Sequence, residues 1–69
     1  LSTRERMSII LSMVESENFI SFHSLFTPEE GRDGVVVTFL AIMELIKEQL
    51  LDFVQVEALG EIHVKARAA

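Results

Sequence analysis

Cysteine is absent from this 69-residue chain, which removes both a disulfide framework and a thiolate metal site as supports for a small fold. Its absence suits a reducing cytosol. A membrane-length apolar run is missing as well. The densest run, residues 35–46, contains Thr38 and Glu44 and falls well short of the roughly 20 residues that cross a bilayer. Positive charge is scarce: six bases against eleven acids leave a formal charge of −5, and diffuse electrostatics of that sign repel nucleic acid and anionic membranes. The only basic clustering is Arg4 with Arg6 near one end and Lys65 with Arg67 near the other. Residues 1–7 begin on Leu1 and lack the charged-then-apolar layout of a signal peptide, so the chain reads as a piece cut from a longer protein.

What the chain does have is apolar surface. Hydrophobic residues make up 49% of it and the mean hydropathy is positive, which excludes a disordered or purely solvating segment. The length fits one domain over residues 1–69, close to the lower limit for a single unstapled core, where roughly 60% of the unfolded surface is buried on folding. No repeat, low-complexity tract or linker divides it, and fraying is expected only at Ala68 and Ala69.

Ser2 followed three residues later by Glu5 is a capping box, which predicts a helix starting near Thr3. Met7, Ile10, Leu11 and Val14 recur at helical spacing and form its buried stripe, with Arg4, Glu5, Ser8, Ser12 and Glu15 on other faces. The pattern is lost over residues 15–18, where the helix ends. Residues 19–21 read as a brief strand. Ser21 then caps a short second helix with Phe22, Leu25 and Phe26 on its apolar side. Pro28 disfavours helical geometry at Thr27, and residues 29–34, charged and with two glycines, read as an exposed loop. A long third helix is expected over about residues 32–49, with Asp33 in its first turn. Residues 53–58 and 61–67 are alternating runs around Leu59 and Gly60, the pattern of a hairpin. Val54, Val56, Ile62, Val64 and Ala66 should face the core, and Gln55, Glu57, Glu61, His63, Lys65 and Arg67 should face water.

Helix, short strand, helix, long helix and hairpin make an α+β winged-helix domain, a helix-turn-helix variant whose third helix is the usual recognition element and whose hairpin is the wing. That fold commonly reads DNA through the third helix, yet fold alone does not settle function. The third helix is apolar nearly all round: at about 100° per residue, Val35, Phe39, Ile42 and Ile46 fall together, Val36, Leu40, Met43 and Leu50 continue the arc, and Ala41 and Leu45 lie on the far side. Only Glu44, Lys47 and Glu48 form a polar strip. Lys47 is the one cation between Val35 and Gln49, and arginine and asparagine are absent there, whereas DNA affinity rests largely on phosphate neutralisation. The surplus apolar surface is either covered by the first helix and the hairpin or offered to another protein.

Catalysis finds no support. His23 in the short helix and His63 on the outer hairpin face stand without a cysteine or a glycine-rich phosphate loop, Glu29 with Glu30 reads as a solvated charge pair, and no spacing suggests a metal site. No cofactor is expected.

The strings VVVTFLAIMELIK over residues 35–47, VQVE over 54–57 and LGEI over 59–62, with ISFHSLF over 20–26, closely resemble the C-terminal winged-helix domain of the ScpA family, the bacterial kleisins. The resemblance covers about residues 2–65. It implies a non-enzymatic, cytoplasmic and nucleoid-associated role: docking on the cap of an SMC ATPase head, helping to close the SMC–ScpA–ScpB ring in chromosome condensation and segregation, with ScpB held by other parts of the parent chain and no direct nucleic acid or membrane contact. It further implies Phe39 and Met43 as anchors flanked by Val36 and Leu40, with the side around Ala41, Ile42 and Leu45 closing the domain's own core. The family tends to carry Pro-Phe-Gly at the wing tip where this chain has Ala58, Leu59 and Gly60, which weakens the case for the tip as a hot spot. The alternatives are a DNA-binding winged helix of a transcriptional regulator and homodimerisation through the same helix.

Overall fold

The computed structural model describes residues 2–17, 19–55 and 60–67. Helix α1 spans Thr3–Ser16. Ser2, in extended backbone, accepts the Glu5 N–H on its side-chain oxygen at 3.3 Å, satisfying one of the donors a helix start leaves free. Ile10 and Val14 are buried with Met7 and Leu11 packed against them. Arg4, Glu5, Ser8, Ser12 and Glu15 are exposed. The apolar pattern gave no hint of Arg6, which is also buried and pairs with Glu30.

Strand β1 is only Ile20–Ser21. The second helix expected after it is a single 3₁₀ turn, Phe22–Leu25, and only Leu25 of its apolar side is buried. Ser21 makes no cap; its hydroxyl instead donates to the Glu61 carboxylate. The turn closes with Phe26 N–H donating to the His23 carbonyl, after which Phe26 and Thr27 are extended, as the proline at residue 28 requires. Among the described residues the domain therefore has two α-helices where three were expected.

Residues 29–34 are not an exposed loop. Pro28–Glu30 forms a second 3₁₀ turn and α2 runs Gly31–Lys47. Gly31, at φ 69°, makes the left-handed step between the two, which glycine adopts without a Cβ penalty. Gly34 is buried, and a Cβ there would collide with Glu30 Cβ. Glu30 lies over that glycine while reaching Arg6, so it is a partly buried ion pair rather than half of a solvated acidic pair.

The far end of α2 is a Schellman closure: Leu50 N–H donates to the Leu45 carbonyl at 2.8 Å and Gln49 N–H to Ile46 at 2.9 Å. Gln49 takes the left-handed position at φ 64°, so the helix stops two residues before its expected end.

Strands β2, Leu51–Gln55, and β3, Ile62–Ala66, complete a three-stranded antiparallel sheet in the order β1-β3-β2. β3 pairs Val64 with both Ile20 and Phe53, and His63 with Val54. Residues directly opposite share a face, so Val54 and Val64 cannot both point inward. Val64, Ile20 and Leu51 are the buried set; Val54 lies on the other face beside His63, contrary to expectation. Ile62 and Ala66 do share Val64's face, yet both are exposed, as is Phe53 directly opposite Val64. Gln55, Glu61 and Arg67 are exposed, whereas His63 and Lys65 are half-buried. The expectations for Val56, Glu57, the Ala58 and Leu59 tip, and Ala68 and Ala69 fall outside the described residues.

The core draws on both helices, the first 3₁₀ turn and all three strands: Ile10 and Val14 from α1, Leu25 from the turn, Ala41, Ile42 and Leu45 from α2, and Ile20, Leu51 and Val64 from the sheet. This is a winged-helix-like α+β domain with α2 as its central helix.

Candidate protein interface

The seventeen residues of α2 divide into two arcs. Gly34, Thr38, Ala41, Ile42 and Leu45 are buried, and at about 100° per residue they span roughly a third of the circumference. The helix packs through this side onto α1 and β2. The next arc is apolar too, yet Val35, Val36, Phe39, Leu40 and Met43 are each 49–51% exposed.

All four residues expected as partner contacts, Val36, Phe39, Leu40 and Met43, lie on this outer arc. Their spacing of i, i+3, i+4 and i+7 makes them one continuous stripe. Val35 belongs to it as well, four residues before Phe39, and was not among the expected contacts. Ile46 is half-buried at the border.

Polar groups frame the stripe. Arg32 and Lys47 stand at its two ends, Asp33 and Glu48 are exposed, and Glu44 is partly buried. The other exposed large apolar side chains among the described residues are Ile9 on α1, Phe19 before β1, Leu50 after α2, and Phe53 and Ile62 on the sheet. Phe19 meets His63 edge-on with centroids 6.4 Å apart, and Phe53 meets Phe22 at 5.9 Å, so part of that apolar area has local cover.

Elsewhere the surface offers little chemistry. His23 is exposed with Nδ1 4.0 Å from Glu61. Gln55 donates to the Gly60 carbonyl at 3.1 Å, tying the ends of the wing together. Among the described residues no group of histidine, aspartate and glutamate side chains is placed to hold a metal ion, and no helix is long and apolar enough to cross a membrane.

The family model for segregation and condensation protein ScpA matches residues 1–67. The chain belongs to the ScpA family. Among curated ScpA relatives it is 57% identical to segregation and condensation protein A of Coxiella burnetii (strain RSA 493 / Nine Mile phase I) over 67 residues, which is 97% of this chain and 25% of that protein. The ScpA protein of Xylella fastidiosa (strain Temecula1 / ATCC 700964) is also 57% identical, over 99% of this chain and 22% of its own length. That of Myxococcus xanthus (strain DK1622) is 46% identical, over 86% of this chain and 23% of its own length. This ScpA-family domain therefore spans about a quarter of the length of the relatives it matches.

Proposed function

We propose that the outer arc of α2 is a docking surface, and that through it this domain binds the cap of an SMC ATPase head and helps to close an SMC–ScpA–ScpB ring acting in chromosome condensation and segregation. The single observation that carries the reading is the half exposure of Val35, Val36, Phe39, Leu40 and Met43 on one stripe of a helix whose other side is fully buried. An apolar helix stripe laid into a groove is a recurring mode of protein recognition, and contiguous apolar patches on small soluble domains mark interaction sites. Family membership supports the wider role, since the matched relatives are named for segregation and condensation.

On this reading Phe39 and Met43 are the anchors, and Val36 and Leu40 exclude water around them. ScpB is held by other parts of the parent chain, the ATP chemistry belongs to SMC, and the protein works in the cytoplasm on the nucleoid. No catalytic, cofactor or metal role is assigned to this domain.

Titration of the chain against the SMC partner subunit tests it. Phe39→Arg and Met43→Arg are each expected to abolish binding while the far-ultraviolet circular dichroism spectrum stays that of the parent. Unchanged affinity in a folded variant sinks the assignment of this face. Salt-dependent binding to duplex DNA in a mobility-shift assay would favour the DNA-reading alternative instead.

A further inference from the structure

The gain from covering the exposed halves of five apolar side chains is largely offset by the translation and rotation lost on association. The stripe alone is therefore marginal, and the charges around it matter.

Taking Val35 as the origin and about 100° per residue, Phe39, Met43, Val36 and Leu40 fall between roughly 40° and 140°. Arg32 and Lys47 fall at roughly 60° and 120°, inside that same arc. The acids Asp33, Glu44 and Glu48 lie outside it, at roughly 160° to 220°, and form a rail along one long edge. A chain with eleven acids and six bases thus presents an outer arc whose only charges are two cations, one at each end. With about 1.5 Å of rise per residue they stand roughly 22 Å apart. Both are exposed, and among the described residues neither takes part in a salt bridge.

Self-association through this face meets a specific obstacle. A two-fold axis through the middle of the stripe, between Phe39 and Leu40, sets antiparallel copies of α2 with Arg32 facing Lys47, because both pairs of numbers have the same sum. A parallel arrangement sets Arg32 against Arg32 and Lys47 against Lys47. Either symmetric pairing places cation on cation, and like charges juxtaposed across an interface oppose association.

We infer that the occupant of this face is not a second copy of the chain but a different protein, whose apolar groove carries a carboxylate near each end, roughly 22 Å apart, to meet Arg32 and Lys47. This rests on the docking role proposed above and adds the charge pattern that the partner surface must have. The apolar stripe supplies affinity; the two cations fix the register of the helix along the groove and speed encounter.

The test is a stopped-flow and equilibrium titration of the chain with the SMC partner subunit at several salt concentrations. Arg32→Glu and Lys47→Glu are each expected to slow association about fivefold, and the double variant about twentyfold with most of the salt dependence gone. Sedimentation of the parent chain is expected to give a monomer across the concentrations used. If Phe39→Arg abolishes binding while both charge reversals leave rate, affinity and salt dependence unchanged, the charge pattern is wrong and the docking face stands. If Phe39→Arg has no effect, the docking face itself fails. A concentration-dependent dimer that Phe39→Arg dissolves overturns the exclusion of a second copy.

Discussion

The two arcs of α2 are both apolar and differ in what their side chains are for. The inner arc begins small, with Gly34, Thr38 and Ala41, and finishes with Ile42 and Leu45, all buried. The outer arc carries bulkier side chains, among them Phe39, Leu40 and Met43, and leaves each about half in water. Hydropathy does not mark the buried side, but the small residues of its first half do. Small residues let a neighbouring element approach the helix backbone, whereas large ones left outside such a contact have nothing of this domain to pack on. Conformational entropy sharpens the contrast, since the inner side chains are already fixed in the folded domain while the outer ones still have rotamer freedom to lose on binding.

The contrast is broken most directly by comparing Leu45→Ala with Phe39→Ala. Leu45 is fully buried, and truncating it should cost about 3 kcal/mol, from lost transfer energy and the cavity left behind. A domain of this size has roughly 3–10 kcal/mol in all, so the urea midpoint should fall steeply. Phe39→Ala should change stability by about 0.5 kcal/mol or less while greatly weakening partner binding. Equal losses of stability in the two variants would mean that the outer arc is core.

Thr38→Val probes the inner arc's one hydroxyl. Thr38 is fully buried, and among the described residues its Oγ1 has no hydrogen-bond partner. An unpaired buried hydroxyl is costly, and valine has nearly the same shape. The variant should therefore gain about 1 kcal/mol in a denaturant titration, without change in partner binding. A loss of stability would show that the hydroxyl is paired after all.

Much of this architecture is legible in the amino-acid sequence. Ser2 and Glu5 gave the start of α1, and the recurrence of Met7, Ile10, Leu11 and Val14 gave its inner face. Pro28 gave the break before α2. The hairpin faces are not legible from the alternation within each strand, because the register pairs Val54 with His63 and so puts Val54 and Val64 on opposite faces. The Arg6 to Glu30 pair was invisible because it joins residues far apart in sequence, and a charged residue within an apolar pattern reads as solvated. The division of α2 came from family resemblance. A signal was nevertheless present: small residues at 34, 38 and 41, leading to Leu45, trace the packed side at helical spacing.

The smallest expected effect concerns the place where both arcs end. Gln49 carried no glycine-like stop signal, so the helix was expected to run through it; in the structure it occupies the left-handed position of the Schellman closure at φ 64°. Residues other than glycine and asparagine adopt that conformation at a cost of roughly 1 kcal/mol, and glycine removes the cost while loosening the unfolded chain. Gln49→Gly should therefore stabilise the domain by about 0.5 kcal/mol, read as a small rise in thermal midpoint. Gln49 is exposed, lies beyond Lys47 and is outside the outer arc, so affinity for the partner should not change. If affinity falls while stability rises, the docking surface extends past the end of α2 into the turn before β2, and the outer arc would have to be redrawn to include that turn and the exposed Leu50 beside it.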